Sequence, residues 1–286
     1  MAKRGIDISA HQGNINLEAL KSQIDFVIIR VGYGTKGTID QKFKRNVDLC
    51  ESLGIPYGFY WYSYALDVNG ASQEATHFLK AIAPYHPTYG CWFDMEDADN
   101  YKKRNGMPSN DTLKKICYEF CEKVENAGYY TGIYASSSWL NNQLAGDKLK
   151  RFDKWVAQWP TSGGKQKGLN VDPASRSGWS LWQFTSEGKF SGYTGKLDTN
   201  YAYKTFPNPS NKPVPTPKPA PAPNKNVITK GSKVKFIGTK SYSGIRLAAW
   251  TRGAVFDVVE VSGDRIVIGK NGMVTAAVNI RDCQKV

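Results

Sequence analysis

The first 206 residues alternate between short apolar runs and longer amphipathic stretches, a pattern typical of strands followed by helices. The apolar runs predict eight strands, at residues 5–8, 26–31, 57–62, 90–94, 131–134, 155–159, 180–183 and 195–198. Helices are predicted between the earlier strands, at residues 40–53, 72–82 and 111–126. The last three strands lack convincing helices. We therefore expect an α/β fold, an irregular parallel β/α barrel.

A proline-rich segment divides the chain. Eight of the fourteen prolines lie between Pro207 and Pro223, where alternating proline favours an extended, semi-rigid spacer. Beyond it, short alternating runs at residues 234–236, 255–261 and 265–268 predict a small all-β domain. The predicted organisation is a barrel at 1–206, a linker at 207–226 and a small domain at 227–286.

The composition and charge of the chain limit the classes of molecule that it is expected to bind. The formal net charge is +13, of which the last 60 residues carry +6. This balance is compatible with nucleic acid, but no nucleic-acid motif is present, and anionic wall polymers are equally suitable partners. No apolar run reaches the ~18 residues that span a membrane, so we expect no membrane insertion. Residues 1–9 contain no apolar signal core, which predicts synthesis in the cytoplasm without a cleaved signal.

The cysteines and histidines do not indicate a cofactor. Five scattered cysteines form no disulfide framework, and the three histidines make no cluster with them. We expect no metal site and no cofactor.

Acidic residues follow several predicted strands. Asp94 and Glu96 are two residues apart, so in an extended chain they project to the same side. Asp7 ends the first strand and Asp198 the last, and these strands are neighbours once a barrel closes. Such a set can do acid–base chemistry on a sugar, since one carboxyl can hold a proton while another stays ionised. A magnesium site is the alternative, although no phosphate-binding glycine-rich loop accompanies it.

Aromatic side chains accompany the acids at the strand ends. Such rings stack on the apolar faces of sugars, so together they favour a saccharide groove over core packing alone. Arg30 and Gln183 are placed to bind polar groups of the substrate or to hold a carboxylate. The predicted substrate-binding residues are Tyr60, Tyr62, Tyr134, Arg30, Trp182 and Gln183.

A set of motifs in fixed order resembles one family. They are GIDISAHQG at 5–13, IRVGYG at 29–34, GFYWY at 58–62, FDME at 93–96, WVAQW at 155–159, LWQF at 181–184 and LD at 197–198. Over about residues 3–205 the chain is similar to the lysozymes of glycoside hydrolase family 25. One departure is Trp61, where many members have histidine.

The resemblance implies a role for each acid. Glu96 would be the general acid on the glycosidic oxygen, and Asp94 would position or polarise the 2-acetamido group of the substrate. Asp7 and Asp198 would complete the carboxylate ring, with Tyr62 lining the groove. The implied reaction is hydrolysis of the β-1,4 bond between N-acetylmuramic acid and N-acetylglucosamine in peptidoglycan, with retaining and inverting routes both open.

The region after the linker resembles bacterial Src-homology-3-like wall-binding domains. Its candidate wall contacts are Tyr242, Trp250 and Phe256, with packing in the core as the equal alternative for each. The whole chain is similar to a phage endolysin that reaches the wall of a Gram-positive host through a holin. The alternatives are a bacterial autolysin of the same activity and a non-catalytic wall-binding protein.

Overall fold

The computed structural model describes residues 2–206 and 228–286, so the predicted linker at 207–226 lies outside the described residues. The chain divides into two compact units, Met1–Pro215 and Thr216–Val286. Each unit has its own apolar core. The two are described separately below.

The first unit is built on a barrel-like sheet of eight strands. The strands of this unit, including three outside the barrel, are β1 (Lys3–Ile8), β2 (Phe26–Tyr33), β3 (Thr38–Ile39), β4 (Tyr57–Tyr62), β5 (Cys91–Asp94), β6 (Thr131–Ser136), β7 (Asp153–Ala157), β8 (Thr161–Ser162), β9 (Lys165–Gln166), β10 (Leu181–Gly188) and β11 (Leu197–Ala202). The order is β1-β11-β10-β7-β6-β5-β4-β2, and pairing of β1 with β2 closes the sheet. Strand β3 extends the edge of β2, and β8 pairs only with β9. The predicted eight-stranded α/β barrel is confirmed.

Helices pack on the outside of this sheet. They are α1 (Leu17–Leu20), α2 (Phe43–Leu53), α3 (Val68–Ile82), α4 (Tyr101–Arg104), α5 (Asn110–Asn126) and α6 (Ser137–Asn141). The side chain of Ser109 caps α5 by accepting from the Thr112 N–H. Helices α2, α3 and α5 match the three predicted helices within about four residues at each end.

Two apolar layers follow from the alternation of side chains along the strands. One set, which includes Phe26, Trp92 and Trp155, forms the cluster inside the barrel. The neighbouring residues point outward and pack against the helices, as Phe93 does on Phe120 with ring centroids 4.1 Å apart. The strands are therefore buried on both faces, which explains their continuous apolar sequence.

The sheet is not parallel throughout, which corrects the sequence-based prediction. Strand β11 runs antiparallel to both β1 and β10. Only residues 189–196 join β10 to β11, which is shorter than the dozen or more residues of a parallel crossover. The last strand accordingly enters the sheet as a hairpin.

The second unit is a five-stranded antiparallel sheet. Its strands are β12 (Lys233–Phe236), β13 (Val255–Ser262), β14 (Arg265–Lys270), β15 (Met273–Asn279) and β16 (Cys283–Lys285), in the order β15-β14-β13-β12-β16. Val234, Phe236, Phe256, Val258 and Ile266 are among its buried core residues. No helix in residues 2–206 or 228–286 is long and apolar enough to cross a bilayer.

Candidate active site

Four carboxyl groups meet at one end of the barrel. Asp94 is the last residue of β5 and Glu96 follows it by two positions, while Asp7 on β1 lies directly opposite Asp198 on β11. All four line one open groove with a volume of about 600 Å³. We call these four residues the carboxylate cluster. The structure thus brings together the acids that the strand pattern placed at one barrel mouth.

Asp198 lies at this end of the barrel, but on a strand whose direction is opposite to the predicted one. It lies at the start of an antiparallel strand, not at the end of a parallel one. The start of an antiparallel strand and the ends of its parallel neighbours share one edge of the sheet. The predicted position therefore holds, although the predicted strand direction is wrong.

Asp7 is fixed by two side-chain amides. Its Oδ2 accepts hydrogen bonds from Gln183 Nε2 at 3.1 Å and from Asn200 Nδ2 at 2.8 Å. Both bonds favour the ionised carboxylate, but burial outweighs them and raises the pKa of Asp7 to about 6. Asp7 is therefore held in one orientation and titrates just below neutral pH.

Other donors fix the orientation of both amides. Gln183 Oε1 accepts from Tyr134 OH at 3.0 Å and from Trp159 Nε1 at 3.2 Å. Asn200 Oδ1 accepts from Trp155 Nε1 at 2.8 Å. Since these oxygens already receive donors, each amide must turn its NH₂ toward Asp7. Asn200 was missed at the sequence level, although its position two residues after Asp198 places it on the same side of β11.

Asp94 and Glu96 hold their protons more tightly than free carboxylic acids. Asp94 is 4% exposed, and its Oδ1 has no hydrogen-bond partner among the described residues. Burial, and then the charge of Glu96, raise the pKa of Asp94 well above its usual range. Burial also raises the pKa of Glu96 to about 7, with Lys102 opposing this rise and Asp99 adding to it. Glu96 can thus carry a proton near neutral pH, as a general acid must.

Asp198 completes the cluster as a second group that is protonated near neutral pH. Burial is the main reason that its pKa rises to about 8, followed by the charges of Asp7 and Glu96. These acids interact strongly, so their protons belong to the cluster as a whole. Fewer than four negative charges are then present at neutral pH.

Aromatic side chains form the walls of the groove. Tyr60 and Tyr134 are each 9% exposed and both pack on Trp155, with ring centroids 6.0 and 4.5 Å away. Tyr62 also lines the groove, and Trp159 stands at its rim with 43% of its surface exposed. Flat rings beside polar groups suit a sugar chain. Trp159 was not among the predicted substrate-binding residues.

Arg30 lines the groove, but its side chain already has partners within the protein. Its Nε donates to Asp40 Oδ2 at 2.8 Å, and its guanidinium lies over the Tyr33 ring, 5.5 Å from the centroid. Asp40 also accepts from the Ala10 N–H at 3.0 Å, so the pair holds the loop after β1. The structure therefore gives Arg30 a part in shaping the groove beside its predicted contact with substrate. In residues 2–206 and 228–286, no three or more His, Cys, Asp or Glu side chains are arranged to hold a metal ion.

Two predicted binding residues lie elsewhere. Trp182 is fully buried beside Phe184, and its Nε1 donates to the Gln158 carbonyl at 2.7 Å. Successive residues of a strand face opposite sides, so Trp182 cannot share the groove with Gln183. Phe256 is 1% exposed in the core of the second unit, so it cannot contact a wall polymer. The predictions for Trp182 and Phe256 are therefore wrong.

The remaining candidate wall contacts are exposed. Tyr242 is 46% exposed and donates its hydroxyl to Asp264 Oδ1 at 2.9 Å. Trp250 is 59% exposed, with its ring 6.1 Å from that of Phe256. Phe256 thus supports Trp250 from beneath.

Comparison with known proteins agrees with this geometry. The sequence pattern of glycosyl hydrolases family 25 matches residues 6–193, which include three of the four clustered acids. The chain belongs to glycosyl hydrolases family 25. The match covers most of the barrel and none of the second unit.

Family relatives include lytic enzymes of bacteria and phages. The autolytic lysozyme of Clostridium acetobutylicum is 26% identical over 196 residues, covering 68% of this chain and 54% of that protein. The modular autolysin LytC of Streptococcus pneumoniae, solved with a synthetic peptidoglycan ligand, has 29% identity and a TM-score of 0.60, covering 71% of this chain and 47% of LytC. The catalytic domain of endolysin ply40 from Listeria monocytogenes bacteriophage P40 has 25% identity and a TM-score of 0.53. The match covers 71% of this chain and 93% of the ply40 domain. The chain therefore spans about half the length of the first two relatives.

Proposed function

We propose that the first unit is an N-acetylmuramidase. It would hydrolyse the β-1,4 bond from N-acetylmuramic acid to N-acetylglucosamine in peptidoglycan. The observation that carries this proposal is Glu96, which has a pKa of about 7 and lies next to Asp94 in an open groove with aromatic walls. Family membership supports the reaction class, and the peptidoglycan ligand of LytC supports the substrate.

Glu96 begins the reaction as the general acid. Its proton passes to the glycosidic oxygen as the bond to the anomeric carbon breaks, and positive charge develops on the sugar ring. Asp94 would orient the 2-acetamido group so that its carbonyl oxygen attacks the anomeric carbon. This attack would form a cyclic oxazolinium ion while the leaving sugar departs with the proton from Glu96. Water would then attack the anomeric carbon, break its bond to the acetamido oxygen and give a proton to Glu96, which restores the general acid.

A direct attack by water is the second route. Asp7 or Asp198 would then act as the base, and the product would have inverted stereochemistry. Asp7 suits a base better than Asp198, because its two amide donors favour the charged form. NMR of a soluble glycan during cleavage shows which anomer of the product forms first. Retained or inverted stereochemistry then separates the two routes.

Hydrolysis of purified walls tests the proposed activity. We expect wall turbidity to fall, and mass spectrometry of the released muropeptides to show N-acetylmuramic acid at the new reducing end. N-acetylglucosamine at the reducing end would instead indicate a glucosaminidase. Binding to walls without any release would indicate a non-catalytic wall-binding protein.

We propose in addition that the second unit is a Src-homology-3-like wall-binding domain. Its five-stranded antiparallel sheet, its exposed Tyr242 and Trp250 and its positive charge support this role. Its partners would be the glycan strands or the anionic polymers of the wall. We expect Trp250→Ala to lower sedimentation with walls, whereas Lys240→Ala, a control outside the aromatic pair, lowers it less. Equal loss in both variants would point to charge alone, and pull-down with DNA in place of walls tests the nucleic-acid alternative.

The biological setting is a further part of the proposal. We propose a phage endolysin, supported by the similarity to the ply40 catalytic domain, of which the chain covers 93%. We expect Gram-positive cells that produce this chain to lyse promptly only when a holin is also produced. Lysis at the same rate without a holin would favour an autolysin that reaches the wall on its own.

A further inference from the structure

Lys102 is a buried cation next to the loop that carries Glu96. It lies in the short helix α4 and is 1% exposed, whereas the next residue, Lys103, is exposed. Lysine is rarely buried to this extent, because removing its ammonium from water costs several kcal/mol. Such a residue needs a local reason for its position, and neither the proposed reaction nor the fold has yet supplied one.

The hydrogen bonds of Lys102 join two loops at the mouth of the barrel. Its Nζ donates to the carbonyl of Ser63, which follows β4, at 2.5 Å. It also donates to the carbonyl of Glu96, which follows β5, at 2.8 Å. The N–H of Ser63 in turn donates to the Asp94 carbonyl at 3.0 Å. The main chain that carries Asp94 and Glu96 is therefore tied to the loop after β4 through one ammonium group.

The backbone of α4 is itself attached to the same loop. The N–H groups of Lys102 and Lys103 donate to the two carboxylate oxygens of Asp97, at 2.7 and 3.0 Å. Asp97 is the residue after Glu96, so the loop from Glu96 to α4 is closed at both ends. This arrangement limits the movement of the Glu96 main chain and places the Lys102 ammonium next to it.

The charge of Lys102 acts on the acids near it. The ammonium opposes the effect of burial by lowering the pKa values of Asp94 and Glu96. Burial lowers the pKa of Lys102, whereas the charges of Glu74 on α3, Asp94 on β5, Asp97 in the loop and Cys117 on α5 act in the opposite direction. Glu96 is also exposed to the charges of Asp7, Asp97 and Asp99. Lys102 is thus a cation among groups that otherwise favour protonation of Glu96.

We propose that Lys102 is a positioning residue for the reaction. It fixes the main chain of Glu96 against the loop after β4 and supplies the positive charge near Asp94 and Glu96. This inference rests on the proposed muramidase function, because it concerns the general acid of that reaction. Lys102 itself does not line the groove, so no contact with the glycan is assigned to it.

Two substitutions separate its hydrogen bonds from its charge. Lys102→Met removes both, whereas Lys102→Gln removes the charge and keeps a neutral donor that lies one bond closer to the main chain. The matched control is Lys103→Met, which changes an exposed lysine at the next position. Each full-length variant is assayed on purified walls from pH 4 to 9, and its folding is checked by thermal unfolding and circular dichroism.

We expect Lys102→Met to lose roughly 10- to 100-fold in kcat, since small displacements of a catalytic group cost up to about 10²-fold, and Lys102→Gln to lose less because it keeps a donor. Their activity should also persist to higher pH, because Glu96 keeps its proton longer without a nearby cation. Lys103→Met should keep the activity and the pH profile of the parent. A lysine that only stabilises the fold would change the unfolding temperature and leave the pH profile in place.

Titration of the Glu96 carboxyl by NMR gives a readout that does not depend on turnover. An upward shift of its pKa in folded Lys102→Gln shows that the charge of Lys102 acts on Glu96 and supports the inference; an inactive parent protein that shows the same shift would contradict the muramidase proposal alone. Folded variants with an unchanged Glu96 pKa and an unchanged pH profile would overturn it. It would also be overturned if neither variant folds, because Lys102 would then be required for the fold itself.

Discussion

Asp7 and Asp198 face each other directly across the antiparallel strands β1 and β11. Opposed residues in such a pair have Cα atoms about 4.5–5.5 Å apart, and like charges there are destabilising. Burial and the charge of Asp7 raise the pKa of Asp198 to about 8, while that of Asp7 rises only to about 6. The difference has a structural cause, since Asp7 accepts two amide hydrogen bonds. The two acids share their protons with the rest of the cluster, and Asp198 holds a proton to higher pH than Asp7 does.

This pairing predicts that Asp198→Asn stabilises the protein as the pH rises. The folded protein keeps a proton on Asp198 up to about pH 8, whereas the ordinary pKa is 3.8, so the unfolded chain loses that proton earlier. The contribution of Asp198 to the free energy of unfolding therefore falls as pH rises from about 4 to 8. Asparagine at this position does not titrate, so the variant does not lose this stability as the pH rises. Calorimetry at pH 4, 6 and 8 should show a Tm advantage that grows with pH.

The control for this prediction is Asp147→Asn. Asp147 is an exposed acid in the same unit, with its side chain 89% accessible. We expect its Tm difference from the parent to stay small at every pH. An Asp198→Asn advantage that is largest at pH 4 would contradict the proposed sharing of a proton.

Glu96→Gln should abolish lysis and leave the fold intact. Glutamine keeps the shape of the side chain but cannot deliver a proton, so a loss of at least ~10²-fold is expected for a missing general acid. Turbidity and muropeptide release measure the loss, with the exposed Glu18→Gln as the matched control. Near-parent activity in a folded Glu96→Gln protein would remove Glu96 from this role.

Asp94→Asn should also impair turnover severely, with a smaller effect on wall binding. Asparagine cannot ionise, so it cannot become the carboxylate that would polarise the acetamido group during the reaction. The measurement is kcat on soluble wall fragments beside sedimentation with intact walls. If Asp94→Asn behaved like the parent while Asp7→Asn were inactive, a different carboxylate pairing would replace the substrate-assisted route.

The sequence alone predicts the site residues whose positions follow from the alternation of side chains between the two faces of a strand. Asp94 and Glu96 share the groove while Met95 between them is fully buried, as two-residue periodicity requires. The same rule would have found Asn200 and rejected Trp182, because Asn200 follows Asp198 by two positions and Trp182 is adjacent to Gln183. Phe256, between exposed Val255 and Asp257, follows the same rule.

Other features depend on tertiary contacts that no local pattern contains. Lys102 stands in the run Tyr101-Lys102-Lys103-Arg104, which is typical of an exposed helix. Its burial comes from contacts with Ser63, 39 positions earlier. The direction of β11 likewise depends on how its loop closes the sheet. Periodicity therefore predicts which side chains share a surface, but not which loops meet there.

The separate apolar cores of the two units predict that they act independently. The core residues of the first unit all lie before residue 207, and those of the second all lie after residue 227. We expect residues 1–206 to fold and keep the chemistry on soluble wall fragments, since few contacts cross a domain boundary. The same fragment should lyse intact cells less well, because tethering raises the effective concentration of the enzyme at the wall.

Residues 227–286 alone should sediment with the walls of susceptible Gram-positive cells. Release by salt should be partial, because salt screens the attraction between a basic domain and anionic polymers but leaves aromatic contacts in place. The two fragments mixed without a covalent link serve as the control and should not restore lysis of intact cells. An insoluble 1–206 fragment would show that the first unit does not fold independently. Failure of 227–286 to bind any susceptible wall would disprove the targeting role, whatever the barrel does.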